Sequence, residues 1–99
     1  MLRSPIKFRF QGNWLKFLSD VDDPAGFAAL VGRALDVRAV KTRVLAWVMR
    51  TEFVVEGEIV PLFIDEDGSA HLEFMHNAPA VVDAVARRLR ASQDFEEVQ

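Results

Sequence analysis

Three groups of residues in this 99-residue chain have types and spacings that could do chemistry. The first is His71, Glu73 and His76, two imidazoles and a carboxylate within six positions. Such a set would hold a transition metal or relay a proton. Its spacing works against both. On a strand, His71 and Glu73 share one face and His76 points to the other, and the helical His-Glu-x-x-His arrangement is absent. His71 is expected to be a cross-strand partner and His76 a helix-entry residue.

The second group is Asp65-Glu66-Asp67-Gly68, which has the look of a calcium loop. In such a loop the glycine is sixth of twelve positions, and oxygen ligands occupy the first and last. Placing Gly68 sixth puts Phe63 first and Phe74 last, so both outer ligands are missing. The segment is expected to be a hairpin turn in which Gly68 supplies positive φ.

The third group is cationic. Ile6 to Ser19 alternates apolar and polar residues on both sides of Gly12-Asn13, the pattern of a β-hairpin with a two-residue type II′ turn. That turn pairs Gln11 with Trp14, Phe10 with Leu15, Arg9 with Lys16 and Phe8 with Phe17. Phe8, Phe10, Leu15 and Phe17 then face the core. Lys7, Arg9, Gln11, Trp14, Lys16 and Leu18 share the opposite face. Two cations directly opposite one another are unfavourable unless an anion lies close by. The internal candidate is Glu96 or Glu97, if the tail adds a strand beside the hairpin. The external one is a phosphate backbone, with Trp14 as a stacking platform.

Other catalytic constellations are missing from the sequence. The serines, at positions 4, 19, 69 and 92, lie outside any Gly-x-Ser-x-Gly elbow. Cysteine and tyrosine are absent, as are dinucleotide and triphosphate glycine loops. The expectation is a protein that is not an enzyme, with no cofactor and no metal site. Cysteine-free composition, together with the lack of a signal-like or spanning apolar run, points to a cytoplasmic address without membrane insertion.

The remaining elements follow from periodicity. Asp22-Asp23-Pro24 starts a helix, with a carboxylate cap and a proline in the first turn. Its buried stripe is Phe27, Leu30, Val31, Ala34 and Leu35. Gly26, Ala29 and Gly32 weaken the helix but permit close approach of another backbone. From Arg43 to Ile64 the chain reads as two strands broken at Glu56-Gly57-Glu58, with Leu45, Trp47, Met49, Thr51, Phe53 and Val55 on one face. Val37, Val40, Val44 and Val48 also fit helical spacing, which leaves residues 37–49 open between strand and helix. Pro61 belongs at an edge, at a bulge, or with its nitrogen facing outward. Ala70 to His76 is another strand, with Leu72 and Phe74 inward. Asn77 precedes a second helix on Val82, Val85, Ala86 and Leu89 that ends near Ser92, with Arg87, Arg88 and Arg90 as a solvated last turn. Between Asp23 and Ala91 the order helix, three strands, helix is that of double-stranded-RNA-binding domains in topology alone, because the second helix lacks their phosphate-contacting lysines.

A hydrophobic fraction of 51% excludes disorder, and 99 residues suit one domain. Net charge is -3, but residues 1–50 hold nine Lys/Arg against four Asp/Glu, whereas residues 51–99 hold three against eleven. The halves attract, either neutralising one another inside the fold or leaving a two-signed surface for docking. Nine arginines against three lysines hint at a GC-rich, bacterial or phage source.

The expected fold is a two-layer α+β sandwich: an antiparallel sheet of five to six strands with two helices on one face, in the order ββαβββα, and a tail able to add a strand. Its expected core is Phe8, Phe10, Leu15, Phe17, Phe27, Leu30, Val31, Leu35, Trp47, Phe53, Leu72, Phe74, Val82, Val85 and Leu89. Two helices shelter one side of a sheet whose middle strands are apolar on both, so a partner is expected to cover the rest. The functional expectation is a non-catalytic protein-interaction domain: an adaptor, inhibitor or immunity-type binder whose partner is another protein or a second copy. The alternative is nucleic-acid binding through the basic hairpin face. The candidate binding residues are Lys7, Arg9, Trp14, Lys16, Trp47 and Met49.

Overall fold

The computed structural model describes residues 4–75 and 78–99. Seven strands and two helices follow one another as β1 (Ile6–Gln11), β2 (Trp14–Phe17), α1 (Pro24–Leu35), β3 (Ala39–Leu45), β4 (Val48–Val55), β5 (Glu58–Asp65), β6 (Ala70–Glu73), α2 (Pro79–Ala91) and β7 (Phe95–Glu97). They form an α+β fold with one sheet in the order β3-β4-β5-β6-β2-β1-β7, antiparallel except for β7 beside β1. The seventh strand arises because the chain from Ala39 to Val55 is two strands where one was expected. Residues 37–49 are therefore not helical, and four strands separate the helices, one more than in the RNA-binding order.

The β1–β2 hairpin has the register its turn dictates: Phe8↔Phe17, Arg9↔Lys16, Phe10↔Leu15 and Gln11↔Trp14. Gly12 takes φ 62°, whereas Asn13 stays at negative φ, the type II′ pattern. The β3–β4 reversal lacks any such signal. Its turn is Ala46-Trp47, and Ala46 is held at φ 23°, outside the comfortable range for a residue with a Cβ. Because the chain reverses there, Leu45 pairs with Val48, and Met49 pairs with Val44 one position along on the opposite face. Trp47 thus leaves the expected strand face and core and stands 70% exposed at the hairpin tip.

Both helices cover the same face. Phe27, Val31 and Leu35 of α1 and Val81, Val85 and Leu89 of α2 are buried against Phe8, Leu15, Phe17, Phe53, Leu62 and Leu72 of the sheet. Phe10, Leu30 and Val82 pack at the margin of this core. Gly32 lets α1 approach β4 closely, since a Cβ there would lie 3.2 Å from the Phe53 ring and 3.1 Å from the Val37 carbonyl. Pro61 falls just beyond the β5–β6 ladder, which runs from Leu62 to Ile64. Asn77 and His76 lie outside the described residues, and α2 begins at Ala78 without a side-chain cap. No helix among the described residues is long and apolar enough to cross a membrane.

The helix ends explain one arginine. Asp23 accepts the Gly26 N–H at 3.1 Å to start α1. Its far end turns at Asp36, φ 58°, with the Asp36 and Val37 N–H groups bonded to the carbonyls of Arg33 and Gly32, a Schellman closure. The Leu35 carbonyl is taken by Arg88, which donates to it at 3.1 Å and to Glu56 Oε1 at 3.0 Å. Arg88 was expected to be solvated; it instead ties α2 to the end of α1 and to the β4–β5 turn.

Leu72 is fully buried between Leu15 and Leu62 in the cross-strand register, so Leu72→Ala should lower the unfolding free energy by about 3 kcal/mol in urea titration. Arg88→Met should cost about 1.5 kcal/mol, because the Leu35 carbonyl loses a charged donor. Glu56→Gln, which removes only a half-exposed pairing, should cost less than about 0.5 kcal/mol.

Candidate functional site

The helix-free face of the sheet closes on itself. The register places Arg43, Arg50, Phe63, His71, Lys16 and Arg9 side by side across six strands. Strands are spaced about 4.8 Å apart, close to the contact distance of parallel rings. Three rings use that match. Trp14 stacks on His71 with centroids 4.8 Å apart, and Phe63 stacks on the other side of His71 at 5.1 Å. The Arg50 guanidinium lies over Phe63 at 5.5 Å and is held by Glu52 at 3.1 Å. This ladder covers part of the middle strands without a third layer and leaves Val54 and Ile59 exposed on the same face.

The ladder also takes in part of the first chemical candidate. His71 sits between two rings, and its nearest carboxylate, Glu73 Oε1, is 3.8 Å from Nε2, beyond hydrogen-bond length. His76, the third member, lies outside the described residues. Among the described residues no group of three metal-ligating side chains forms. The acidic turn is a hairpin turn, with Gly68 at φ 90°. Asp67 Oδ1 accepts from the Ser69 N–H at 3.0 Å and from Ser69 Oγ at 2.7 Å, which hold its carboxyl below the usual range.

The basic hairpin face differs from expectation in its surroundings. Arg9 and Lys16 are opposite one another, as the turn requires, but the next residue in their row is His71 and not an acid. The tail does add β7, and Glu96 stands opposite Lys7. Glu97 turns to Arg90 and Glu56 to Arg88, so the acidic half pairs two of its own three arginines. Among the described residues, Lys7, Arg9, Lys16, Arg33, Arg38, Lys41 and Arg43 make no ion pair within 4.0 Å. Neutralisation between the two halves is therefore limited to Arg50 with Glu52, and Lys7 opposite Glu96 in register. As a stacking platform the face offers little, because the ladder already uses both faces of His71 and one face of Trp14.

Unfulfilled surface collects at the β3–β4 hairpin. Every residue of β3 is exposed, and one side of the strand has no sheet neighbour. Val40, Val44, Leu45 and Trp47 are 60, 79, 51 and 70% exposed. Concave surfaces flank the strand on both faces. On the helix side, a groove of about 670 Å³ runs between α1 and β3–β4, floored by Ala28, Gly32, Val37, Met49 and Phe53, with Arg33 and Arg38 along its lining. On the ladder side, a cup of about 380 Å³ is lined by Trp14, Leu45, Trp47, Phe63 and His71, with Asp65 and Glu73. A hydrogen bond from the Glu66 N–H to the Trp47 carbonyl, 2.8 Å, fixes the tip against the acidic turn.

Of the six candidate binding residues, the structure brings Trp14 and Trp47 together in the cup and puts Met49 in the groove on the other face. Lys7, Arg9 and Lys16 line neither. Sequence reasoning missed Asp65, Phe63 and Glu73 as cup residues, because they meet Trp47 only through a turn with no turn residues.

The turn chemistry predicts a pH effect. Asp67 is held below its ordinary value, so its stabilising contribution is present above the unfolded-state carboxylate value and is lost as pH falls through the lower folded value. In a ¹³C-detected titration, Ser69→Ala should raise the Asp67 midpoint toward the usual range. An unchanged midpoint would show that the Ser69 hydroxyl does not contribute, leaving the residue 69 N–H, which alanine keeps, as the cause.

Compared with known proteins, the chain matches no family model, no curated sequence and no solved structure.

Proposed function

We propose that this chain is a non-catalytic protein-interaction domain whose binding surface is the β3–β4 hairpin, with an extended segment of a partner added to the free edge of β3. One observation carries the reading: β3 is exposed along its whole length at the rim of the sheet, with large apolar side chains on both faces. A long apolar edge strand invites pairing, and proteins that do not use such an edge shield it with bulges, prolines or charge. Here the shielding is partial: a register shift between Ala39 and Lys41 disrupts the start of the strand, and Lys41 and Arg43 put charge on it, but Val40, Val44 and Leu45 stay exposed beside them. A strand added to β3 would direct alternate side chains into the groove beneath α1 and toward the cup.

The partner is more readily a different protein than a second copy. In an antiparallel β3–β3 pairing centred on Lys41, Thr42 or Arg43, cations fall opposite cations. Centring on Val40 or Val44 avoids this, and either leaves few residues of β3 to pair.

Affinity capture from extracts of the source cells, with Val44→Lys beside the wild type, tests the reading. Val44 touches little of the core, so the variant should unfold within a few degrees of wild type. A protein enriched by the wild type should drop at least about tenfold with Val44→Lys, the scale of losing one interface anchor. Sedimentation equilibrium tells whether the occupant is a second copy. Equal capture by both chains, or no specific capture, would contradict the proposal.

A further inference from the structure

We propose that the cup on the helix-free face receives the guanidinium of an arginine side chain carried by the partner, an inference that rests on the interaction-domain reading above. The cup joins residues from five parts of the chain: Trp14 on β2, Leu45 at the end of β3, Trp47 in the turn, Phe63 and Asp65 on β5, and His71 and Glu73 on β6. Its lining contains two carboxylates and no lysine or arginine. Rings and carboxylates around one space have a common complement, a flat organic cation that stacks on the rings and donates hydrogen bonds at its edge.

The two carboxylates and the two indoles of the lining have capacity to spare. Asp65 Oδ2 accepts from Ser69 Oγ at 3.1 Å, and its other oxygen remains available. Glu73 lies 3.8 Å from His71 Nε2, so its oxygens are not consumed by that contact. Trp14 and Trp47 are 45% and 70% exposed, so ring surface remains uncovered. The same face already seats one guanidinium in this manner, Arg50 over Phe63 with Glu52 at its edge. Neither Arg50 nor Lys16 lines the cup, so neither competes for it.

The alternatives fit less well. An apolar side chain would cover Asp65 and Glu73 without giving them a donor, which costs free energy. An acidic one would be repelled. A lysine ammonium offers charge but no plane to lie against an indole, and it is more strongly hydrated.

The two tryptophans of the chain both line the cup, so intrinsic fluorescence reports on it directly. The full chain would be titrated with N-acetyl-arginine amide and, in parallel, with the lysine, leucine and glutamate counterparts. Saturable change at millimolar arginine amide is expected, with half-saturation at least about fivefold below that of the lysine compound. The glutamate compound should give none. Asp65→Asn with Glu73→Gln should raise the arginine half-saturation about tenfold, as expected when two charge-assisted bonds become neutral ones. No saturable change with arginine amide, an equal response to the leucine compound, or no loss in the double variant would overturn the proposal. Val44 lies outside the cup, which separates the two readings. Arginine binding without partner capture contradicts the interaction domain. Capture that depends on Val44, with tryptophans indifferent to arginine amide, contradicts the cup alone.

Discussion

Everything in this molecule follows from a seven-stranded sheet that has helices on one side only. Two helices of twelve and thirteen residues bury Phe8, Leu15, Phe17, Phe53, Leu62 and Leu72 on the covered face. The other face has to satisfy itself. It does so by stacking rings across strands: the backbone spacing of the sheet brings Trp14, His71 and Phe63 into contact, and Arg50 closes one end. The ladder shelters part of that face within the chain, whereas Val54 and Ile59 on β4 and β5 remain exposed and the most exposed apolar side chains lie at the β3–β4 rim.

That rim links the fold to function. At β7 the sheet ends in a three-residue strand with two carboxylates, Glu96 opposite Lys7 in register and Glu97 against Arg90. The other end is left open. Strand β3 lies beyond the reach of α1, and its tip is strained at Ala46, displays Trp47 and is anchored to the β5–β6 turn by one backbone hydrogen bond. A groove with arginines on one face and a cup with carboxylates on the other give this edge two distinct chemical sides. The charge asymmetry of the sequence reappears there, between surfaces a few residues apart.

Legibility from the sequence depended on local signals. Gly12-Asn13 defined the first hairpin to the residue, since a two-residue turn fixes register. Asp23-Pro24 and the apolar stripes located both helices, and Asp65–Gly68 forms the expected hairpin turn with Gly68 at positive φ. The break at Ala46-Trp47 was not legible, because neither residue favours a turn and the apolar run passes through it unbroken. That one miss made one strand of two, moved Trp47 into the core and hid the cup. Arg88 escaped for a related reason: its acceptor, the Leu35 carbonyl, is 53 residues away and is left free by the way α1 ends.

The central claim is that β3 is a free edge in the unbound chain while the aromatic ladder holds the sheet behind it. Site-resolved amide hydrogen exchange on the isolated protein tests this most directly. The account predicts that amides of β3 exchange orders of magnitude faster than those of β5 and β6, which should open only with global unfolding. Protection of β3 equal to that of β6 would mean the edge is already covered, and the interaction surface would have to be sought elsewhere.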